Sequence, residues 1–399
     1  MTATRRTPPP VALVMDRYDD VAYTHTALAA HDPAAGRITL HPGPGTTSDT
    51  ALAHDLLVAL GKPPLLPGRF HAGRQPAWQA ATAWIDALPA ARLTVLRAHR
   101  LTVRRLGRLL RLRDTTGIPL TLVCHRPHLT TALHQALHPV PHTVTSNLDT
   151  ARSHYYEGTP AAASPQPSAQ IPPASPVRWM TIPALDRLVS YDSTQPCTGP
   201  CTPAPIDWRH RPPPRPLTET AVREITRRIH QATAHPRLAA ALATTLLTRA
   251  SFQQLLTVRA EDLGPDAATL AFHDPARYTD GCASHPIQAW ARPFLRAAAS
   301  FAALTDSREL LARQDERPHI LRLAENARLR PPQPQPPLPQ PAGTGGVVWD
   351  WAERGQAERY ETLLSRPQKA VPTAPVDRYI RTPPAADPIS STTDPVNRW

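Results

Sequence analysis

RLTVLRAHRLTVRRLGRLLRLRDTTGIPLTLVC, Arg92 to Cys124, reads as an apolar strand, a basic helix, a tight turn and a second apolar strand. Leu93–Leu96 and Ile118–Cys124 are short apolar runs of strand length. Between them, Thr102 to Arg113 carries leucine at helical spacing. A strand, a helix and a strand in succession form the unit from which parallel sheets are built. Eight arginines (Arg92, Arg97, Arg100, Arg104, Arg105, Arg108, Arg111 and Arg113) precede the first acid, Asp114. In helical projection Arg100, Arg104, Arg108 and Arg111 line one face, while Val103, Leu106, Leu109 and Leu110 line the other. A basic stripe on a helix anchored by its apolar side, with Arg105 beside it, suits contacts to phosphates. Such contacts position a nucleic acid without reading its sequence.

The same alternation runs outward from this stretch. Val11–Met15 and Arg37–Leu40 read as strands. Thr50–Leu60 has leucines at 52, 56, 57 and 60 and Gly61 as a C-cap, and Pro76–Leu88 reads as another helix. Thr130–Leu137 reads as a helix and Thr143–Thr145 as a last strand. Residues 1–150 are therefore expected to form a three-layer α/β domain with a mainly parallel sheet. A Pro/Ser/Ala-rich linker is expected over 151–216, densest from Gly158 to Pro176. Residues 217–328 read as a smaller, mainly helical domain. Its helices are expected over Thr218–Ala234, Pro236–Leu247, Ser251–Arg259 and Pro286–Leu304, with a strand at Thr269–Phe272. Residues 329–399 read as a disordered tail that beyond Arg330 runs PPQPQPPLPQP and in which only Val347–Ser365 looks helical.

Composition bounds the partners. The chain has 399 residues, 50 prolines and a net charge of +12, and only Lys62 and Lys369 among its 44 basic residues are lysine. A GC-rich genome produces such Arg, Ala and Pro enrichment, but clustered arginine on a basic chain is also the electrostatic footprint of a phosphate partner. The expected partner is nucleic acid, duplex DNA held by its backbone, with a protein partner for the Pro-rich tail as the alternative. No apolar run approaches a membrane span and no secretory leader is recognisable, so a cytoplasmic protein without membrane association is expected. Four cysteines are too few for a disulfide framework. Cys197 and Cys201, with His210 nearby or Cys282 far away, could begin a zinc site. No second closely spaced ligand pair follows, so neither a metal nor a cofactor is assigned.

GPGTTSDT, Gly43 to Thr50, follows the strand RITL and opens a helix, as a phosphate-binding loop does. The chain here resembles a degenerate P-loop ATPase of the AAA+ type, particularly the helper ATPases of transposition systems, over residues 8–130. Gly43 and Thr50 match that family's loop, with Gly45 between them. Ser48 stands at its second glycine and Asp49 at its lysine, where a carboxylate repels phosphates. After LTVL, the residues Ala98, His99, Arg100 and Leu101 match the family's motif, while Leu96 and Arg97 occupy its two acidic positions. Neither can hold magnesium or activate water. Gly43, Gly45, Ser48, Asp49, Thr50, Leu96 and Arg97 are thus a degenerate nucleotide site, and the resemblance implies a pseudo-ATPase with no catalytic residues.

Leu242–Leu263 is similar to the opening of the tyrosine recombinase catalytic domain, a similarity that extends over about 236–305. Thr248, Leu255, Leu256, Arg259, Glu261 and Asp262 match, with Thr269–Phe272 as the following strand. Ser251 replaces the first catalytic arginine, no His-x-x-Arg element follows, and neither Tyr360 nor Tyr379 has a nucleophile's context. The two resemblances together imply a non-catalytic, DNA-associated accessory protein of a mobile element. The alternative is a scaffold acting through its Pro-rich segments.

Overall fold

Five short strands pair side by side in parallel. The computed structural model describes residues 8–156, 179–206, 217–274 and 282–332, apart from 69, 71–73, 89, 91, 181, 190–196 and 198–200. The strands are β1 (Val11–Met15), β2 (Arg37–Leu40), β3 (Arg92–Val95), β4 (Leu120–Cys124) and β5 (His142–Thr145), in the spatial order β2-β3-β4-β1-β5. Leu13 sits opposite Leu122 on one side and Val144 on the other, and Leu93 pairs with Leu120. Every residue of β1 and β4 is buried, which is why they read as unbroken apolar runs rather than alternating ones.

Six helices cover this sheet: α1 (Val21–Ala29), α2 (Asp49–Ala59), α3 (Ala77–Ala87), α4 (Val103–Thr116), α5 (Thr131–Leu137) and α6 (Leu148–Tyr156). The connection from β1 to β2 runs one way along the sheet and the later ones run back. Right-handed crossovers therefore set α1 on one face and α2 to α5 on the other. On the first face α1 and α6 close a small core with Val14, Leu96 and Val123. Sequence reading did not find these two helices. Each buries only a pair four residues apart, Tyr23 and Ala27 or Ala151 and Tyr155, too little for a periodic signal.

Beyond them lie α7 (Glu219–Ala232), α8 (Pro236–Thr248), α9 (Phe252–Thr257), α10 (Arg292–Leu304) and α11 (Arg317–Asn326). A small sheet is formed by β6 (Ala204–Pro205), β7 (Thr269–Phe272) and β8 (Ala283–Pro286) in the order β6-β8-β7. The helix expected from Pro286 begins only at Arg292, because residues up to Pro286 pair antiparallel with β7. One apolar cluster runs from the sheet through α3 to α8 and α10. At its centre Trp84 meets Phe294 edge-on at 6.0 Å, and its indole N–H donates to the Ala234 carbonyl (2.8 Å). The described residues, all before 333, cluster as one compact unit. Of the expected Pro-rich tail, 333–399, including Val347–Ser365, lies outside the described residues, as does His210, while Leu329 and Arg330 are buried against the fold. Among the described residues no helix is long and apolar enough to cross a membrane.

Candidate nucleic-acid interface

An open parallel sheet takes ligands beyond the carboxyl ends of its strands, where neighbouring strands send their connections to opposite faces. Here that crevice lies between β1, followed by α1, and β4, followed by α5. It holds carboxylates and cations together. Asp16 ends β1 at 1% exposure and accepts the Asp20 N–H (2.9 Å), while Asp20 caps α1. His125, just past β4, places Nδ1 2.7 Å from Asp16 Oδ2 and 3.3 Å from Asp19 Oδ1. Its backbone N–H donates to His99 Nδ1 (3.2 Å). Burial, helped by the nearby charges of His125, Arg126, Arg100 and Arg97, lowers His99 to about 4, so it is a neutral acceptor at pH 7.

Asp19 and Arg97 both lie in the left-handed backbone region, with φ of 53° and 51°, and their side chains pair at 3.7 Å. Non-glycine residues held there cost on the order of 1 kcal/mol each, and such strain gathers at functional sites. The Asp16 contact takes Nδ1 of His125, and its Nε2 is buried with no hydrogen-bond partner among the described residues. The crevice thus holds a buried Asp16–His125 pair beside the exposed Asp19, with Arg97, Arg100 and Arg126 close enough to offset the carboxylates.

The cations gather instead between α2, α3 and α4. Buried Leu106, Leu109, Leu110 and Leu112 anchor α4, and Gly117 ends it at φ 71°, donating its N–H to the Arg113 carbonyl (2.7 Å). The opposite side of α4 faces an open groove of about 990 Å³. Arg74, Arg104, Arg108 and Arg111 line it together with Trp78, and Asp49 is the sole acid among its lining residues. Asp49 opens α2 behind the N-cap Ser48, which accepts the Ala51 N–H (3.0 Å). Its Oδ2 accepts from Arg104 Nε (2.7 Å) and lies 3.5 Å from Arg108 Nε, while its carbonyl accepts the Trp78 indole N–H (2.9 Å). Arg105 donates to the Thr47 carbonyl.

The GPGTTSDT loop and the arginine stripe, far apart in sequence, thus meet at Asp49, and Thr50 lines the same groove. Other expected residues fall elsewhere. Arg100 belongs to a 3-10 turn (Ala98–Arg100) ahead of α4, so it leaves the stripe although it is exposed. Arg113 is buried and donates to the Pro8 and Pro9 carbonyls and to Asp114. Leu96 is fully buried and Arg97 pairs with Asp19, so neither lines the groove. RITL proves to be the edge strand β2, which sets the following loop two strands away from the β1/β4 crevice. Gly43 and Gly45 avoid the left-handed region, and each has room for a Cβ, so the turn itself does not require glycine.

The recombinase-like residues serve local structure. Ser251 and Gln254 form a capping box at the start of α9, Leu255 is buried, and Thr248 ends α8. Arg259 pairs with Glu309 (3.8 Å) and gives its N–H to Asp262 (2.7 Å). Tyr360 and Tyr379 lie outside the described residues. No family model, curated protein or solved structure matches the chain.

Proposed function

We propose that the protein is a non-catalytic, DNA-associated accessory protein whose arginine groove holds the phosphate backbone of duplex DNA. One observation carries this reading: four arginines face an open groove against a single carboxylate, three of them on a helix fixed by buried leucines. Long, always-charged side chains around an open trough suit a continuous polyanion, and guanidinium forks match phosphate oxygens. Its place as a pseudo-ATPase of a mobile element rests on the sequence resemblance at Gly43, Thr50 and Ala98–Leu101, with Leu96 and Arg97 at that family's acidic positions.

The test is fluorescence anisotropy of a labelled duplex titrated across a salt series. The log-log slope should fall near −0.9 for each phosphate neutralised. Replacing Arg104, Arg108 and Arg111 together by Ala should flatten that slope by about 2.7 and weaken binding roughly 100-fold or more at low salt. Binding indifferent to salt, or unchanged in the triple variant, would sink the reading.

A further inference from the structure

The small sheet β6-β8-β7 carries a cluster that plays no part in the groove. Cys197 and Cys201 precede β6, His273 directly follows β7 and Cys282 directly precedes β8. Their three sulfurs and one ring nitrogen all lie within 4.8 Å of one another. None of the four cysteines in the chain is in a disulfide. We propose that Cys197, Cys201, His273 and Cys282 form a structural zinc site.

The donor set is the first argument. Three thiols and an imidazole around one point make a closed Cys3His set, which suits tetrahedral zinc and leaves no open position for catalysis. Zinc would displace the three thiol protons to solvent and bind the thiolates and the neutral imidazole.

The orientation of His273 is the second and more telling argument. Its Nε2 lies 3.0 Å from Asp262 Oδ1, while Asp262 Oδ2 is held by the Arg259 N–H at 2.7 Å. A carboxylate on Nε2 fixes the proton there, so the Nδ1 lone pair turns towards the sulfurs, 2.9 Å from Cys201 Sγ. This carboxylate–histidine arrangement is what orients ligating imidazoles and raises their basicity. The Asp262 that resembles a recombinase residue thereby gains a physical role of its own.

The third argument is mechanical. β6 is two residues long and is tied to β8 by Ala204 N–H to Cys282 O (3.1 Å) and Ile206 N–H to Ser284 O (3.0 Å). A strand that short cannot hold itself in place. A metal bound by residues flanking all three strands would fasten Cys197–Ile206 to the sheet. An open recess bordered by Cys201, Asp262, Thr269 and His273 offers an entry path on the exposed side of Cys201.

Full-length protein purified under reducing conditions should carry one zinc per chain by elemental mass spectrometry. Exchange into cobalt should give the thiolate charge-transfer and intense d–d absorption of a tetrahedral Cys3His site. His273→Gln and Cys282→Ser should lose the metal while Cys124→Ser, altered at the end of β4, keeps it. Asp262→Asn should still bind, with zinc affinity about 10- to 100-fold weaker. The cobalt spectrum of the unaltered chain decides the matter even if a variant fails to fold. Neither zinc nor cobalt taken up by the unaltered protein, a Cys197–Cys201 disulfide in its place, or full metal content in both His273→Gln and Cys282→Ser would overturn the site.

Discussion

The crevice between β1 and β4 and the groove along α4 belong to the same α/β region yet differ in charge balance and burial. The crevice is where parallel-sheet topology places ligands, and it holds Asp16 and His125 buried against each other, with the exposed Asp19 paired to Arg97. The groove, towards the β2 edge, holds open arginines with one carboxylate. Fold topology alone would have directed a search to the crevice. Charge and access direct it to the groove. Position in a sheet sets where a site can form, but the side chains decide what may enter.

The contrast predicts that the two regions fail in different ways. Asp16→Ala strips a buried histidine of its carboxylate and leaves polar atoms without partners, which should cost about 3 kcal/mol of stability, read by urea denaturation. The folded fraction should bind duplex DNA as before. Altering the groove arginines should do the reverse, lowering affinity while leaving the unfolding midpoint nearly untouched, since exposed ion pairs stabilise little. If Asp16→Ala instead weakened DNA binding at full stability, the crevice rather than the groove would be the interface.

How much of this was legible in sequence follows from distance along the chain. β1 and β4 were readable because each is a nearly unbroken apolar run, β2, β3 and β5 because short β-branched and apolar stretches sit between helical ones, and Arg104, Arg108 and Arg111 because helical spacing aligns them. Arg100 was drawn into the stripe because its spacing ignores where α4 begins, at Val103 behind the N-cap Thr102. Arg74 and the role of Asp49 as the hub of the groove were not readable, since α2, α3 and α4 meet only in the fold. Asp16 and His125 are separated by 109 residues and become neighbours only when β1 pairs with β4. Three members of the cysteine cluster were visible in the sequence, Cys197, Cys201 and, as one of two alternatives, Cys282. His273 was missed, since it meets them only when β7 pairs with β8, a pairing no spacing rule announces.

A finer test concerns Asp49, whose carboxylate occupies Arg104 and Arg108 in the absence of DNA. Asp49→Ala should release both side chains to phosphates and remove a repulsive charge, so affinity should rise roughly 3- to 10-fold with a steeper salt slope. Asp49→Lys should strengthen binding further and still give no ATP turnover, because Leu96 and Arg97 remain. Should Asp49→Ala weaken binding, the carboxylate would be acting to pose the two arginines, and the groove would be a site of defined geometry rather than a general cationic trough.

The smallest effect separates the regions by pH. His99 is lowered to about 4 in the folded chain, mainly by burial, against about 6.5 when unfolded. Between these values the unfolded chain takes up a proton that the folded one refuses, so this contribution is complete above about pH 6.5 and is lost as pH falls towards 4. His99 is only partly enclosed, so solvent screening holds the loss below the roughly 1.4 kcal/mol per pH unit of a fully buried group. His230 and His235, both lowered to about 3 mainly by burial near the α7–α8 junction, add losses of the same sign. Arginines do not titrate in this range. Urea midpoints should therefore decline from pH 7 to 5, and His99→Gln should flatten that decline, while DNA affinity of the folded protein stays level. An affinity that changes in step with stability over this window would mean that the crevice and the groove are coupled, and that the acidic cluster sets the posture of α4 through the Arg97 turn that joins them.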